Sequence, residues 1–221
     1  MTFARMLAAH LWVNQKGPTA PATVDEAISA LRQAPSFYEE LRQILSYSLA
    51  RALVSPGAVE GPGAGVLFSH ADYSSNELVA ALWRAPLASL LPATQGGVRF
   101  LEEAAVDLFF VTLVKEDKDF SVSTRYKDFP ITKDLFQWES QARTALDSKT
   151  GQRYINHEEL GSRVFLCVRN ARRNSIGGAG AYTFLGDVNH VRHSGEKPIQ
   201  FEWKLHRPMP ARLYEQGRAV V

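Results

Sequence analysis

The chain has 221 residues and a mass of 24.6 kDa, which suffices for one or two domains with a buried hydrophobic core. Its 25 lysine and arginine residues nearly balance 23 aspartate and glutamate residues, and the formal charge of +2 excludes a histone-like or polybasic nucleic-acid binder. The single cysteine, Cys167, excludes an internal disulfide and a multi-cysteine zinc site. No apolar run approaches the length of a membrane span, and the first residues lack the layout of a signal peptide. We therefore expect a soluble protein of the reducing cytoplasm.

Residues 1–54 predict a helical lead. Apolar residues at helical spacing indicate a short helix before Trp12. Thr23 and Glu26 form a capping box that opens a second helix, which Pro35 ends. Ser36 and Glu39 then open a third helix, whose apolar stripe continues to about residue 53.

Residues 55–65 contain two prolines and four glycines, which predicts a linker or surface loop. A mainly β domain over residues 66–221 is expected to follow. It begins with a strand at 66–69 and a small helix from Glu77 to about Arg84, opened by a capping box at Ser74 and Glu77. Dense β-branched and aromatic runs predict further strands at 106–114, 163–169, 181–186 and 199–205, with a glycine-rich hairpin loop at 177–180.

Signals for catalysis are missing from the sequence. There is no phosphate-binding glycine loop, no nucleophile elbow and no metalloprotease-type histidine pair. His190 and His193 are three residues apart, but a lone pair between strands is more often incidental than a metal site. Cys167 lies within an apolar strand, where a buried thiol is the more frequent outcome. We expect a non-catalytic domain without metal or cofactor.

The segment from residue 120 to residue 157 interleaves aromatic side chains with amides and bases. Aromatic faces stack on bases, amides hydrogen-bond base edges and guanidinium groups bind phosphates. The alternation at 135–141 places Phe136, Trp138 and Ser140 on one face of a strand. That face lies either in a cavity or in the core, and for a single aromatic residue the core is the more frequent location.

Two polar stretches follow. Residues 150–157 predict a polar loop that enters a short strand. Either Gly151 makes a turn while Asn156 and His157 satisfy the local backbone, or Gln152, Arg153 and His157 face a ligand phosphate or base. Three arginines follow the strand at 163–169 and form either a solvated turn or an edge that contacts phosphates: Arg169, Arg172 and Arg173. Residues 141–175 carry seven basic against three acidic side chains, so the near-neutral total conceals a basic strip.

Several of these stretches together resemble an uncharacterised domain family. They are residues 107–113, 126–129, 135–141, 150–157, 182–186 and 203–205 with 208–211, and residues 69–74 resemble the entry to the domain. The family is found at the C-terminal end of bacterial DEAD/DEAH-type helicases, often with a phospholipase-D-like nuclease module at the front. The helical lead is similar to the segment that precedes the domain. The nucleotide-binding motifs of the helicase are absent, so the resemblance does not imply an ATPase in this chain.

From the aromatic and basic segments, together with the helicase context of the resemblance, our leading hypothesis is a DNA-recognition domain that targets a helicase or nuclease in bacterial defence or repair. By analogy with domains that bind modified or flipped bases, we expect an α+β fold with a barrel-like β part, PUA/SRA-like or B3-like. The expected pocket or stacking residues are Tyr126, Phe136, Trp138 and Tyr154. The expected polar contacts come from Gln141, Gln152, Arg153 and His157, and the expected backbone contacts from Arg143, Lys149, Arg169, Arg172 and Arg173. The alternative is a protein-interaction or autoinhibitory module that docks on a helicase core without contacting nucleic acid.

Overall fold

The structure is a computed structural model that describes residues 2–12, 20–51, 56–84, 86–90, 96–114 and 128–219. Its helices are α1 (Thr2–Trp12), α2 (Val24–Arg32), α3 (Pro35–Ala50), α4 (Ser75–Leu82), α5 (Lys149–Ile155) and α6 (Ala211–Arg218). Its strands are β1 (Gly57–Ala58), β2 (Phe68–Ser69), β3 (Asp72–Tyr73), β4 (Val98–Leu101), β5 (Val106–Thr112), β6 (Phe129–Thr132), β7 (Leu135–Glu139), β8 (Arg163–Arg169), β9 (Tyr182–Ser194) and β10 (Gln200–Leu205).

One large sheet organises the molecule. Its strand order is β4-β5-β8-β9-β10-β7-β6, with β3 paired to β9 beside this path. Neighbouring strands are antiparallel except for the parallel pair β5 and β8. The α+β class is confirmed. The edge strands β4 and β6 do not pair with each other within the described ranges, so the expected barrel is not closed there.

The sheet separates two hydrophobic clusters. On one face α1, α2 and α4 pack against the strands, and on the other face the strands pack against α5 and α6. β5 contributes Leu108 and Phe110 to the first cluster and Phe109 and Val111 to the second. Burial on both faces explains why β5 reads as a continuous apolar run rather than an alternating one.

Both predicted capping residues begin helices, and the complete capping box forms at Ser74. At α2 the Glu26 carboxylate accepts from the Ala22 amide at 2.9 Å instead of from the Thr23 amide. Thr23 caps α2, with its hydroxyl accepting from the amide of Glu26 at 3.2 Å. At α4 the Ser74 hydroxyl accepts from the Glu77 amide at 3.2 Å, and the Glu77 carboxylate accepts from the Ser74 amide at 2.7 Å. The predicted first and third helices correspond to α1 and α3, but α3 begins at Pro35 after Ala34 with no side-chain cap, and Ser36 does not open it. No helix in the described ranges is both long enough and apolar enough to cross a membrane.

Two local predictions were wrong. Residues 150–157 were expected to form a loop entering a strand, but they lie in and after α5, which the Ser148 hydroxyl caps by accepting from the Gly151 amide at 3.0 Å. Gly151 marks a close approach, because a Cβ there would lie 2.4 Å from the Ala145 carbonyl oxygen. The strand expected to end at Gly186 continues through a bulge, where Gly186 has φ +88°, to residue 194.

Candidate functional site

The expected stacking aromatics lie in the core rather than in a cleft. Phe136, Trp138 and Tyr154 are all buried. Trp138 stacks on Phe109 with ring centroids 3.9 Å apart, and Tyr154 meets both rings edge-on. The fourth of these expected residues, Tyr126, lies outside the described residues. Trp138 and Tyr154 pack against Phe109 and against each other, and Phe136 is fully buried, so in this conformation none of the three described rings presents a face to a ligand.

Arg153 is engaged with a buried carboxylate. Its Nε and Nη2 donate to Asp107 Oδ2 and Oδ1 at 2.7 and 2.9 Å, and its guanidinium stacks on Phe100 at 3.8 Å. Asp107 lies in β5 with 1% of its side chain exposed. Burial raises the pKa of the Asp107 carboxyl even though the guanidinium opposes this shift. The pair therefore links α5 to β5, the strand next to the edge strand β4.

The expected amide residues contact nearby backbone and side chains. Gln141 accepts from the Thr144 hydroxyl at 3.1 Å and donates to the Gly96 carbonyl at 3.4 Å. Gln152 is exposed and donates to the Leu146 carbonyl at 2.9 Å. These contacts hold the amides at the entrance and first turn of α5.

The expected backbone-contact residues are divided between the surface and the sheet. Arg143 and Lys149 are exposed around α5, and Arg172 and Arg173 are exposed in the loop that joins β8 to β9. Arg169 instead donates from Nε to the Thr112 hydroxyl at 2.9 Å and lies over the ring of Tyr182. Its side chain thus supports the base of that loop.

A polar cleft of about 830 Å³ opens at the end of the sheet where β8 begins. Its lining residues come from residues 57–60 of the predicted linker, Ser69 in β2, the segment 157–163, residues 185–189 in β9, and residues 206–207 after β10. Of the described residues expected at the site, His157 lines this cleft. Its volume falls within the roughly 300–1,000 Å³ of small-molecule sites.

Glycines of the predicted linker let two arginines lie against this wall. Arg163 Nη1 donates to the Glu60 carbonyl at 3.2 Å, and Arg207 Nη1 donates to the Ser69 carbonyl and hydroxyl, both at 3.3 Å. A Cβ at Gly57 would lie 2.5 Å from Arg207 Nη1, and one at Gly61 would lie 2.9 Å from Arg163 Cζ. The composition that predicted a linker therefore also makes room for two guanidinium groups.

Opposite charges and a chain of hydrogen bonds line the remainder of the cleft. Arg163 Nη1 lies 2.7 Å from Asp187 Oδ2, and burial raises the pKa of the Asp187 carboxyl against the effect of this neighbour. His206 Nε2 contacts the side-chain oxygen Oδ1 of Asn189, and the side-chain Nδ2 of Asn189 donates to the Glu158 carboxylate. The cleft therefore offers donors and acceptors together, which suits a ligand with both phosphate and heterocyclic groups.

His157 forms part of the cleft floor with a defined ring orientation. Its Nδ1 lies 3.4 Å from the Ser162 carbonyl oxygen, which can only accept, so Nδ1 carries the proton. Nε2 then accepts from the His190 backbone amide at 3.3 Å. The side chain is 3% exposed and ties the end of α5 to β9.

Sequence reasoning missed most of the cleft residues. They are Ser69, Glu158, Arg163, Asp187, Asn189, His206 and Arg207. One signal was present: a glycine followed by an aspartate inside an apolar strand, at 186–187, is typical of a bulge that turns a polar side chain toward a site. The pairing of segments far apart in the chain carries no such signal.

The structure also locates the His190–His193 pair and Cys167, which the sequence analysis considered for metal and thiol chemistry. A bulge at Val191 brings His190 and His193 to the same side of β9, with Nε2 and Nδ1 at 3.2 Å. Within the described ranges, no group of three or more potential ligands surrounds a common point. Cys167 is buried in β8, as predicted, and burial raises the pKa of its thiol.

Fold and cleft together define an α+β domain in which a mixed sheet carries a polar cleft at one end. The chain belongs to the family described as a domain of unknown function, DUF3427, whose model matches residues 69–216, two thirds of the sequence. The match begins in β2, so the helical lead lies before it.

Comparison with curated proteins found no match. Among solved structures, the chain is similar to Arabidopsis thaliana SUVH6 in complex with SAM, with 14% identity and a TM-score of 0.35. The alignment covers 95% of this chain and 38% of that one. A similarity of this size carries no functional argument, so function is argued from the cleft.

Proposed function

We propose that this chain is a DNA-recognition domain that brings a bacterial helicase or nuclease to a modified or unstacked base during defence or repair. The cleft carries this proposal, because it combines a nucleotide-compatible volume with two arginines and a chain of base-type hydrogen-bonding groups. The earlier resemblance to a helicase-associated family supports the proposed helicase and nuclease partners. In this proposal the domain acts by binding, and the partner module performs the chemistry.

The cleft chemistry favours one nucleotide displaced from its helix. Guanidinium groups suit phosphate oxygens, and a carboxylate accepts from the exocyclic amino group of a base. Arg207 and Arg163 would contact the phosphate, while Glu158 and Asn189 would bind the base edge. A base stacked inside a duplex cannot reach such groups, so the ligand is a flipped base or a single-stranded segment.

Fluorescence anisotropy at low and moderate salt tests this proposal. The probes are single-stranded DNA, duplex DNA and duplexes with one methylated cytosine or adenine. Replacing Arg207 with Met is expected to weaken binding about tenfold and to lower the salt dependence by about one phosphate contact. The matched control is Arg192→Met, because Arg192 pairs with Glu202 outside the cleft.

Unfolding midpoints of both variants separate lost binding from lost folding, since Arg207 also contacts Ser69. The proposal fails if the wild-type chain binds none of these DNAs at low salt. The assignment of DNA binding to the cleft fails if Arg207→Met and Arg192→Met bind DNA with the same affinity and salt dependence. Metal-dependent cleavage of DNA by the isolated chain would contradict a purely binding role.

A second candidate function rests on α3. No residue of this helix is buried, and Phe37, Tyr38, Ile44, Leu45, Tyr47 and Leu49 are exposed. Such an apolar surface is typical of a protein interface, and the resemblance places this helix next to a helicase core. A protein-interaction module is favoured if a purified helicase core binds the chain through α3 while the chain binds no DNA.

A further inference from the structure

The loop that joins β8 to β9 presents an apolar side chain to solvent. This hairpin loop comprises residues 170–181, and Ile176 at its tip is 90% exposed. Among the large apolar side chains that the structure describes as exposed, Ile176 has the highest exposed fraction. A single exposed apolar residue needs no explanation in itself, so the inference depends on how the loop holds it.

The tip of the hairpin loop is held by its own hydrogen bonds. Asn174 Oδ1 accepts from the amides of Ile176 and Gly178 at 3.2 and 2.8 Å, and the Asn174 amide donates to the Gly178 carbonyl at 2.8 Å. Gly177 has φ +84°, a conformation that favours glycine. The tip is therefore a defined turn that directs Ile176 away from the protein.

The base of the hairpin loop is braced against the sheet. The Gly180 amide donates to the Arg172 carbonyl at 2.9 Å, and Arg169 Nη1 donates to the Gly180 carbonyl at 3.3 Å. A Cβ at Gly180 would lie 2.4 Å from the Ala171 carbonyl oxygen, so the two arms approach closely at this point. Because both arms are fixed, inserting the tip into a partner costs little conformational entropy.

Charge identifies the kind of partner. Arg172 and Arg173 are exposed on the arm that leads to the tip, and residues 170–181 contain no acidic residue. An apolar tip beside two guanidinium groups fits a polyanion that also has an apolar interior. Stacked base pairs between two phosphate backbones have this composition, and apolar wedges flanked by basic residues are a known way of entering them.

We propose that Ile176 is a wedge that inserts between adjacent base pairs of duplex DNA, with Arg172 and Arg173 contacting the phosphates beside that step. The inference rests on the proposed DNA binding and adds the form of DNA that the domain stabilises, a duplex with one unstacked step. The hairpin loop and the cleft lie at opposite ends of β8, about 20 Å apart for a strand of this length. The wedge is therefore a contact separate from the cleft.

The test uses the full chain and duplexes that carry 2-aminopurine at successive positions, since the fluorescence of this base rises when it loses its stacking partners. Wild-type protein is expected to raise the fluorescence severalfold at one or two adjacent positions. Ile176→Ser is expected to lose most of that increase, while affinity falls by less than about tenfold because phosphate contacts supply most of it. Ile176→Leu, which keeps an apolar tip, retains the increase.

A matched control is Val191→Ser, which removes an exposed apolar side chain from β9 outside the hairpin loop and leaves the fluorescence increase unchanged. Replacing Arg172 and Arg173 with Ala is expected to lower the salt dependence of binding by about two phosphate contacts. Ile176 is too exposed for its replacement to affect folding, and an unchanged unfolding midpoint checks this.

The outcomes separate the two proposals. Binding of DNA by the wild-type chain without any fluorescence increase, or an equal increase with Ile176→Ser, overturns the wedge and leaves DNA recognition intact. If the wild-type chain binds single-stranded DNA but no duplex, the wedge is overturned and DNA recognition stands. If it binds neither form, DNA recognition itself fails. Loss of helicase-core binding in Ile176→Ser, with DNA binding and unstacking unchanged, assigns the tip to a protein interface and also overturns the wedge.

Discussion

At the residue scale, the Asp107–Arg153 pair shows how a side chain expected at a binding surface can have a structural role instead. The carboxylate is buried in β5, the strand next to the edge strand β4, and the guanidinium of α5 is its bidentate partner. Buried ion pairs contribute little net stability, but removing one member leaves an uncompensated charge. The sequence showed the charge of Arg153 and its aromatic neighbours, and it did not show a partner 46 residues away.

Replacing Arg153 with Met tests this role. We expect the free energy of unfolding at neutral pH to fall by about 3 kcal/mol, because Asp107 stays buried without its partner. Adding Asp107→Asn to this variant is expected to recover part of the loss. Urea denaturation measures both effects, and a loss below about 1 kcal/mol would contradict them.

The same variant has an expected pH dependence. Burial already raises the pKa of Asp107 in the folded state, and losing the guanidinium raises it further. A carboxyl whose pKa is higher in the folded than in the unfolded state favours folding at low pH, and this contribution is lost as the pH rises through the folded-state pKa. The deficit of Arg153→Met should therefore be smaller at about pH 5 than at about pH 8. A deficit that is equal at both pH values would contradict this mechanism.

At the element scale, capping residues were the most informative local signals. Ser74 and Thr23 were identified from spacing alone, and each begins a helix in the structure because its hydroxyl satisfies an amide that has no partner within the helix. Ser148 has the same role at the start of α5, where the sequence predicted a loop instead of a helix. Helix α5 forms there because glycine is the residue that fits beneath the Ala145 carbonyl.

Ser74→Ala is expected to lower the free energy of unfolding by about 1 kcal/mol, because α4 loses its cap and carries buried side chains into the core. Ser74→Thr keeps a hydroxyl and is the matched control, with most of the stability retained. Chemical denaturation of the three proteins measures the difference. Equal stability of the alanine and threonine variants would show that the cap contributes nothing.

At the scale of the whole molecule, α3 differs from the other α-helices that the structure describes in having no buried residue. Leu49 is 80% exposed, although the apolar spacing of this helix resembles that of a core-facing helix. The periodicity predicted the helix correctly but did not predict what covers it. Helices of this length are only marginally stable alone, so α3 is expected to gain stability when a partner covers it.

Ile44→Lys combined with Leu49→Lys is expected to change the free energy of unfolding by less than about 0.5 kcal/mol, because both side chains are exposed. Leu31→Ala in the preceding helix α2 is the contrasting control, with an expected loss of about 3 kcal/mol from a buried site. Sedimentation of the wild-type chain, measured alongside the denaturation curves, shows whether copies of the chain associate. A loss above about 2 kcal/mol in the lysine variant would mean that α3 is covered in solution.

The amino-acid sequence by itself determined the α+β class, the helix starts at Thr23 and Ser74, and the strands β5, β8 and β10, because these depend on spacing and capping within a few residues. Only the tertiary structure decided what the side chains of those elements contact. Trp138 and Tyr154 became core residues because the fold places their rings against Phe109, which lies in β5, a strand far from both residues in the chain. Arg163, Asp187 and Arg207 became neighbours around one cleft because strand pairing brings together segments that no local pattern connects.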